Sequence, residues 1–525
     1  MSRSLRGRVT VGLALASLLT PLALSVPRET QSATAIRVPR YGVFEQTFRW
    51  PSDAYSNPWE QVSLKLTAVS PTGRRTTVGG FFAGPDTWKA RFAPAQAGRW
   101  RWTALLQDGT RRKRFKGSFL AVPGGHGFVR RNPDNRFRWT FSDGSPYYPL
   151  GIGDCVGDQN RSGSPVDDFY VDTRRTNLAS YLTTYHRAGV NLFRWSVDNC
   201  AFGLYRSIAP AGNVYLAREG AWGDEFVRAL RSHGFRIYMT IFGFSPPFPN
   251  NPTPDELAAI HRYVDYVVDR YGAYVDYWEL MNEASATKDW YADVGTYLHK
   301  IDPYHHPVAT SWERPDLPII DVNAPHWYEK ELESESDART WALITAWKAA
   351  GKPVIVGEQG NSGQNWDERS AVRMRLRTWT AFFAEGALIF WNTTTTKEYR
   401  SGAANIYLGP EERRYLRVLQ SFTQGFDRRA QIAAVASTGP PGLRAYALAA
   451  PSEYAAYLHA SQNHASATGG VRLNVRLSKR GTALWIDPAS GKRLGRRAVR
   501  AGAQSLAAPP FSTDIALKIH FGPNR

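Results

Sequence analysis

Two glutamates stand at the ends of apolar segments that have the pattern of buried strands. Glu283 ends the segment WELMNE at 278–283, and Glu358 follows the segment VIVG at 354–357. Two carboxyl groups in different surroundings can divide catalysis between a protonated acid and an ionised nucleophile. Either glutamate alone is more simply a surface residue at a loop. The pair becomes a candidate catalytic site only if the fold brings both strand ends together.

The region around both glutamates alternates short apolar strands with amphipathic helices. Strands are predicted at 147–154, 190–198, 235–244, 275–283, 307–313, 319–328, 353–359 and 387–393, and helices at 177–188, 224–233, 254–271, 289–301, 338–350, 368–385 and 410–422. This order predicts an α/β fold, a closed (β/α)8 TIM barrel with its active site at the carboxyl ends of the strands. Only residues 314–318 separate the fifth and sixth strands, so a loop is expected there in place of a helix.

Glutamates that end the fourth and seventh strands of such a barrel face each other across its mouth. Cleavage of a glycosidic bond with retention needs two carboxyl groups about 5–5.5 Å apart, one as nucleophile and one alternating between acid and base. The acid has to keep its proton near neutral pH, which a neighbouring carboxylate and aromatic surroundings favour. The nucleophile has to stay ionised, which a nearby cation or hydroxyl favours.

The ends of five predicted strands resemble the clan A glycoside hydrolases. In that clan an Asn precedes the acid/base on the fourth strand, as Asn282 precedes Glu283, and the nucleophile ends the seventh strand, as Glu358 does. The resemblance extends to Arg194 in GVNLFRW (189–195), to His326 and Tyr328 in HWY (326–328), and to Trp391 in IFW (389–391). It implies that Arg194 and Tyr328 support the nucleophile, that Asn282 and His326 belong to the substrate site, and that Trp391 floors a sugar subsite.

Other polar and aromatic residues at the strand ends have two interpretations each. Arg194 either keeps Glu358 ionised or pairs with Glu279, which we interpret as a structural residue pointing into the barrel. The residues that either line sugar subsites or serve packing and loops are Asp154, Asp198, Asn199, Trp312, Glu313 and Trp327.

Both ends of the chain show short alternating strands separated by Gly- and Pro-rich turns, the pattern of β-sandwiches. The N-terminal segment, with YGVFE (41–45), GGFF (79–82) and WKARF (88–92), resembles the uncharacterised β-sandwich that precedes bacterial glycosidase barrels. The C-terminal segment, with LWIDPASGK (484–492), is similar to a sandwich family labelled collagen-binding, a label from which we infer no ligand. The predicted organisation is a signal peptide at 1–35, an N-terminal β-sandwich at 36–122, the catalytic barrel at 123–426 and a C-terminal β-sandwich at 427–525.

The first 35 residues have the pattern of a secretory signal. Arg3, Arg6 and Arg8 precede an apolar stretch at 9–26, and Ala33-Thr34-Ala35 offers a cleavage site. We therefore expect a secreted, cell-surface or periplasmic protein with no membrane span after cleavage. The formal net charge of +19 favours anionic surroundings, but the sequence shows no nucleic-acid-binding motif, so no nucleic-acid partner is predicted.

The remaining reactive residues suggest no further chemistry. Cys155 and Cys200 lie at the ends of neighbouring predicted strands, and both a disulfide and two free thiols are compatible with the sequence. His305 and His306 are interpreted as part of a turn, and neither a metal site nor a cofactor is predicted. A Ser-His-Asp hydrolase is disfavoured because no G-x-S-x-G segment is present.

The sequence thus predicts a secreted, retaining β-glycoside hydrolase acting on an oligo- or polysaccharide, with Glu283 as acid/base and Glu358 as nucleophile. The competing hypothesis is a non-catalytic carbohydrate- or matrix-binding protein built on a degenerate barrel. The sugar, the linkage, endo or exo action, the oligomeric state and the role of the flanking sandwiches stay open.

Overall fold

The structure is a computed structural model that describes residues 36–154, 169–171, 174–197, 203–329, 331–359, 370–391 and 408–522. Cys155, Cys200, Asp198, Asn199 and the predicted signal segment 1–35 lie outside the described residues, as does the side chain of Asp154. In the described part of the chain, no helix is both long enough and apolar enough to cross a membrane.

The N-terminal β domain is one seven-stranded sheet that folds over itself. Its elements are β1 (Arg37–Pro39), β2 (Phe44–Arg49), α1 (Pro58–Gln61), β3 (Ser63–Val69), β4 (Arg75–Gly84), β5 (Thr87–Phe92), β6 (Gly98–Gln107) and β7 (Arg112–Val122), in the sheet order β1-β7-β6-β3-β4-β5-β2. Although β2 and β7 lie near opposite ends of this order, Phe44 of β2 stacks on Phe119 of β7, with ring centroids 4.2 Å apart. The two ends of the sheet therefore face each other, and alternate residues of both halves fill one apolar core.

The middle of the chain forms the predicted barrel. Its elements are β8 (Val129–Arg131), β9 (Trp139–Phe141), β10 (Pro146–Tyr147), β11 (Leu150–Asp154), β12 (Phe169–Val171), β13 (Arg174–Thr176), α2 (Leu178–Arg187), β14 (Leu192–Ser196), β15 (Tyr205–Ser207), β16 (Val214–Tyr215), α3 (Ala217–Ser232), β17 (Arg236–Phe242), α4 (Pro254–Tyr271), β18 (Tyr277–Met281), α5 (Lys288–Ile301), β19 (Val308–Thr310), β20 (Val322–Asn323), β21 (His326–Trp327), α6 (Ser336–Lys348), β22 (Val354–Gln359), α7 (Ser370–Phe383), β23 (Gly386–Trp391) and α8 (Pro410–Thr423).

Parallel pairing closes these strands into a ring. The order is β20-β19-β18-β17-β14-β11-β23-β22-β21, and β20 also pairs with β22. Because β20 and β21 are two parts of the sixth strand, the ring has eight strands and confirms the predicted TIM barrel. As expected, the described chain between β19 and β20 has turns and no helix.

Local sequence explains most of the helix boundaries. Helix α4 begins where Thr253 and Glu256 form a reciprocal capping box, and Pro254 occupies the first turn. Helix α3 begins seven residues before the predicted position. The prediction missed this first part because it contains Gly220 and Gly223, and glycine is a poor helix former. A Cβ on Gly223 would lie 2.3 Å from the Tyr271 hydroxyl, so close packing against α4 requires this glycine.

The C-terminal β domain contains two sheets. Its strands are β24 (Gln431–Ile432), β25 (Ala436–Thr438), β26 (Leu443–Ala449), β27 (Glu453–Ala460), β28 (Arg472–Leu477), β29 (Gly481–Ile486), β30 (Arg493–Val499), β31 (Gly502–Ala507) and β32 (Asp514–Phe521). The sheet orders are β24-β26-β27-β32-β29-β30 and β25-β28-β31. Apolar side chains from both sheets form one core.

Buried ion pairs join each flanking domain to the barrel. Arg91 of β5 donates to Asp224 of α3 at 2.8 Å, and Arg375 of α7 donates to Asp514 of β32 at 2.8 Å. Breaking a buried pair of this kind leaves an uncompensated charge, which is strongly destabilising. Both β domains are thus fixed against the outer helices of the barrel.

Candidate active site

Arg194 of β14 lies at the centre of a hydrogen-bonded cluster in the barrel mouth. Its Nε donates to Glu279 at 2.9 Å, its Nη1 donates to Glu358 at 2.7 Å and its Nη2 donates to Asn282 Oδ1 at 2.8 Å. Burial lowers the pKa of Arg194, but the charges of Glu279 and Glu358 raise it more, so its pKa lies above the ordinary value. Both interpretations of Arg194 therefore describe real contacts, since it pairs with the interior Glu279 and with the candidate nucleophile.

Glu279 is fully buried and belongs to the barrel interior. Thr240, its partner across the β17–β18 pairing, donates a hydrogen bond to it from the hydroxyl. Arg194 supplies the compensating charge and donates to the same oxygen, Oε2. These contacts fit the structural role that the sequence suggested for Glu279.

Glu358 is the last residue but one of strand β22 and accepts hydrogen bonds on both carboxylate oxygens. Arg194 donates to Oε1, and the Tyr328 hydroxyl donates to Oε2. Burial, followed by the charge of Glu358, raises the pKa of Tyr328, so this hydroxyl keeps its proton. Donors to both oxygens stabilise the ionised carboxylate.

Glu283 lies immediately beyond β18 in the left-handed region, with φ of 45°. Its backbone N–H donates to Ser311 Oγ at 3.2 Å, and its carboxylate lies 2.8 Å from His326 Nδ1. The hydrogen bond from His326 lowers the pKa of Glu283 below its ordinary value. This direction is opposite to the expected one, because the group closest to this carboxyl is a hydrogen-bond donor.

His326 connects the two glutamates. One oxygen of Glu283, one oxygen of Glu358 and a ring nitrogen of His326 all lie within 4.8 Å of one another. A Cβ at residue 357 would lie 3.2 Å from His326 Nε2, a tight contact that the glycine at this position avoids. These three groups are also the one set of acidic, His or Cys side chains in the described chain that could share a metal ion.

Trp391 ends strand β23 and packs against the same cluster. Its ring lies 5.6 Å from the Arg194 guanidinium, and a Cβ on Gly153 would come within 2.1 Å of the indole. Glycine at 153 is therefore needed to seat this indole. The structure thus brings together all the predicted site residues: Arg194, Asn282, Glu283, His326, Tyr328, Glu358 and Trp391.

The secondary candidates differ in how far they are exposed. Trp312 is 48% exposed at the end of the fifth strand, whereas Trp327 is 4% exposed and packs under Arg377. His306 is buried, and its Nδ1 lies 2.8 Å from Asp302 in the predicted turn. Glu313 is half-buried beside Trp312.

Sequence reasoning missed three residues on the strands beside the candidate site. Ser311 bonds both Asn282 and the Glu283 backbone, Thr240 bonds Glu279, and Phe244 is 51% exposed just beyond β17. Ser311 and Phe244 fell at the carboxyl ends of predicted strands, and this position was the signal that could have identified them. Thr240 lies inside β17 and gave no such signal.

Comparisons with known proteins support the fold. Residues 37–107 match the family described as "Domain of unknown function (DUF5060)". A "putative glycoside hydrolase" from Bacteroides vulgatus ATCC 8482 is similar in structure, with a TM-score of 0.64 and 17% identity over 92% of this chain and 99% of that one. A glycoside hydrolase family 5 protein from the same organism gives a TM-score of 0.53 and 14% identity over 75% and 94% of the two chains. No curated protein is detectably similar in sequence. The chain therefore shares its fold with proteins described as glycoside hydrolases.

Proposed function

We propose that the protein is an exported glycoside hydrolase that cleaves β-glycosidic bonds with retention. The observation that carries this proposal is the approach of Glu283 and Glu358, whose nearest oxygens lie within 4.8 Å. Retaining enzymes hold their carboxyl groups about 5–5.5 Å apart, whereas inverting enzymes need about 6.5–9.5 Å to admit a water. The short separation favours a covalent intermediate over direct attack by water.

The surroundings of the two carboxyl groups support a different role for each. Glu358 is nearly buried and receives donors on both oxygens, so it is held in place to attack the anomeric carbon. Glu283 is 34% exposed on its side chain and has one side-chain partner, so it can exchange a proton with the leaving group and then with water. Glu358 is therefore the nucleophile and Glu283 the acid/base.

The reaction follows in two displacements. Glu283 donates its proton to the glycosidic oxygen while Glu358 attacks the anomeric carbon and forms a glycosyl ester. A bound sugar displaces water from Glu283, and desolvation raises the pKa of a carboxyl, which opposes the lowering by His326. Ester formation removes the charge of Glu358, so the pKa of Glu283 falls again and it accepts a proton from the attacking water.

Asn282 is oriented to bind the sugar. Its Oδ1 accepts from both Arg194 and Ser311, which fixes the amide and leaves Nδ2 as the available donor. A donor beside the nucleophile can bond the 2-hydroxyl of the sugar, a contact that strengthens as the oxocarbenium ion develops. Trp391 supplies an apolar surface for the ring face in the same subsite.

Export and substrate class rest on the sequence. The charged, apolar and small-residue segments within 1–35 support secretion or a cell-surface or periplasmic location. An oligo- or polysaccharide is the expected substrate, and the proposed reaction uses no cofactor.

The test is a screen of the mature protein against aryl β-glycosides and plant, algal and bacterial polysaccharides. Parallel samples carry Glu358→Ala, Glu283→Ala and, as a matched control, Glu225→Ala, since Glu225 is exposed on the outer helix α3. We expect the parent and the control to cleave one substrate class, and Glu358→Ala to be inactive.

Azide and anomeric analysis then assign the two roles. On an activated substrate, azide should give Glu358→Ala an α-glycosyl azide and Glu283→Ala a β-glycosyl azide, and the first hydrolysis product of the parent should be the β-anomer by NMR. An α-anomer would indicate inversion. Glycan binding without cleavage by the parent would favour the carbohydrate-binding hypothesis instead.

A further inference from the structure

The positive charge of the chain is concentrated in its two β domains. Residues 36–122 contain fifteen Lys and Arg against five Asp and Glu, and residues 427–525 contain fourteen against four. Barrel residues 123–426 contain thirty-two against thirty-six. The domain that holds the candidate active site is therefore slightly acidic, and the excess cations belong to the domains beside it.

One face of the N-terminal sheet gathers exposed cations. In β6, Arg99 and Arg101 are exposed and alternate with the buried Trp100 and Trp102. Because successive side chains of a strand point to opposite faces, both arginines lie on the face turned away from the core. Ser118 of β7 stands directly opposite Arg101 in the antiparallel pairing, so it shares this face.

Strand β7 continues the row of cations. In steps of two from Ser118, the same face carries Lys116, Arg114 and Arg112, all of them exposed. Lys116 is the diagonal neighbour of Arg101, so the cations of the two strands form one line. From the first cation of β6 to the partner of Arg112, β6 advances eight residues, which corresponds to about 27 Å. We call this line the cationic stripe, and its members are Arg99, Arg101, Lys116, Arg114 and Arg112.

The charges of the stripe are not compensated within the described part of the chain. Its members form no ion pair there, and Arg99 Nη1 donates only to the Ser118 hydroxyl, at 3.4 Å. Asp108, which follows β6, already accepts from Arg111 and Tyr55. No acid stands on β6 or on its neighbours β7 and β3; the acids of the domain are Glu45, Asp53, Glu60, Asp86 and Asp108. A line of like charges therefore faces outward without a counter-charge from its own sheet.

Acids of the barrel approach this sheet at a different place. Asp269 of α4 accepts from the backbone of Gly79 in β4, and Lys65 of β3 is the cation whose charge acts on both Asp269 and Asp265. Gly79 and Lys65 are paired with each other across β3 and β4. These acids therefore have a cation of their own, and Lys65 does not belong to the stripe.

Protection of a sheet edge explains only part of the stripe. Between Arg112 and Lys116, β7 pairs with β6 on one side and with no described strand on the other, since β1 pairs only with residues 120–122. Charged side chains on such an edge prevent pairing with another chain. Arg99 and Arg101 have no such role, because β6 is paired with both β7 and β3. The stripe thus extends beyond what edge protection requires.

We propose that the cationic stripe binds a linear acidic polysaccharide, whose carboxylate or sulfate groups accept hydrogen bonds from its guanidinium and ammonium groups. The planar guanidinium donates two parallel hydrogen bonds to an anionic group such as a carboxylate, and four of the five members are arginines. Thr103, Gln107 and Ser118 lie on the same face between the cations and offer polar groups to sugar hydroxyls. A line of charge about 27 Å long is matched by an extended chain that carries repeated negative groups.

Other polyanions have less support from this surface. Strands β6 and β7 carry no exposed large apolar side chain, whereas surfaces that bind membranes combine cations with apolar residues that enter the bilayer boundary. Neither strand exposes an aromatic ring, on which single-stranded nucleic acids stack their bases. The inference is independent of the glycosidase proposal, because no member of the stripe belongs to the candidate active site.

Binding to defined polysaccharides tests the proposal. Polygalacturonate carries carboxylates, dextran sulfate carries sulfates and dextran is neutral; the mature protein carries Glu358→Ala, so that proposed cleavage does not remove a polymer. We expect calorimetric titration at low salt to show binding of at least one acidic polymer and no comparable binding of dextran. Added salt should weaken this binding, because it screens exposed charges. The proposal is wrong if neither acidic polymer binds or if dextran binds equally well.

Two matched triple variants locate the binding surface. The stripe variant carries Arg101→Gln, Arg114→Gln and Lys116→Gln, and the control carries Arg476→Gln, Lys492→Gln and Arg497→Gln, on exposed cations of the C-terminal domain. Each cation near an anionic surface contributes about 1 kcal/mol, so we expect the stripe variant to bind at least about tenfold more weakly and the control to bind like the parent. An equal loss in both would overturn the proposal, since binding would then follow net charge alone.

Thermal unfolding and two further polyanions complete the test. Both triple variants should keep the parent Tm, because the substituted side chains are exposed. If the stripe variant is less stable, Arg114→Gln alone gives the comparison, with an expected loss of about fivefold in affinity. Phosphatidylserine vesicles and duplex DNA should bind more weakly than the better acidic polysaccharide. Tighter binding of either, lost in the stripe variant, would assign the stripe to a membrane or to nucleic acid and overturn the proposal.

Discussion

The ends of β22 and β18 face each other across the barrel mouth, yet they surround their glutamates in different ways. The Glu358 side chain is 6% exposed and is bonded on both oxygens, whereas the Glu283 side chain is 34% exposed and, among the described residues, is bonded by His326 alone. A group that attacks as an anion gains from fixed donors, and a group that passes a proton back and forth needs access to solvent and substrate. The contrast therefore fits the roles of nucleophile and acid/base that we propose for Glu358 and Glu283.

The backbone repeats this contrast. Glu358 lies within a paired strand, whereas Glu283 has φ of 45°, a conformation that costs a non-glycine residue about 1–3 kcal/mol. Ser311 Oγ accepts a hydrogen bond from the Glu283 N–H, and this bond helps to hold the turn. The left-handed turn takes Glu283 out of the regular strand direction, whereas Glu358 stays in β22 at an irregularity in the β22–β23 pairing between Val356 and Gln359.

Removing the cation between the two regions should have the largest effect. Arg194→Met leaves the buried Glu279 and Glu358 without a positive charge, and breaking a buried ion pair in this way costs about 3–5 kcal/mol of stability. We expect kcat/KM to fall by about 10³-fold or more, because Glu358 loses a charge-assisted hydrogen bond and its fixed position. Urea unfolding and steady-state kinetics measure the two effects, with Arg194→Lys as the control that keeps the charge. A loss of activity below tenfold would show that Glu358 does not depend on Arg194.

Removing a single donor from Glu358 should affect catalysis without unfolding the protein. Tyr328→Phe deletes the hydroxyl that bonds Oε2 and keeps the ring. A hydrogen bond to a charged group contributes about 1.5–3 kcal/mol, so we expect kcat to fall about 10- to 150-fold. KM should change little if the bond acts on the nucleophile and not on sugar binding. An equal loss through KM alone would instead place Tyr328 in substrate binding.

Removing the donor on Glu283 should change the pH profile. The hydrogen bond from His326 lowers the pKa of Glu283, so His326→Ala should raise it. Because Glu283 must be protonated to act as the acid, activity is lost as pH rises through its pKa, and the basic limb of kcat/KM should move to higher pH. Tyr328→Phe is the matched control, since it removes a donor from the other glutamate. A basic limb that stays in place in His326→Ala would assign that limb to another group.

The sequence predicted the parts of this site that depend on strand order. The alternation of short apolar strands with amphipathic helices placed Glu283 and Glu358 at the ends of two barrel strands, and the structure brings both to the same mouth of the barrel. The sixth strand was predicted as one segment but is divided into β20 and β21. Pro325 lies between the two parts and cannot donate to a strand ladder.

The contacts that tune the site could not be predicted in the same way. Thr240 contacts Glu279 because these residues are paired across β17 and β18. The register between neighbouring strands cannot be read from one sequence, so this contact could not be predicted. The direction of the Glu283 pKa shift likewise depends on His326, which arrives from a strand 43 residues later in the chain. The residue types were recognisable in the sequence, but their partners were set by the closed barrel.

The smallest expected effect concerns whether the C-terminal domain helps to position Tyr328. The loop after Tyr328 leads to Asp337, which accepts from Arg444 of the C-terminal domain at 2.7 and 2.9 Å and from Tyr446 at 2.9 Å. Arg444→Met should therefore loosen the loop while Tyr446 still satisfies Asp337. We expect kcat to fall by less than about tenfold, corresponding to under about 1.4 kcal/mol in the barrier.

Arg429→Met is the matched control for this variant. It breaks an Arg–Asp pair of similar length, at 2.8 Å to Asp427, that makes no described contact with the Tyr328 loop. If Arg444→Met lowers kcat and the control does not, the C-terminal domain helps to position the hydroxyl that bonds the nucleophile. If both variants keep full kcat and lose only thermal stability, this domain braces the barrel, and the difference between the two glutamates is determined within the barrel alone. Kinetics and thermal unfolding measured on the same samples distinguish these results.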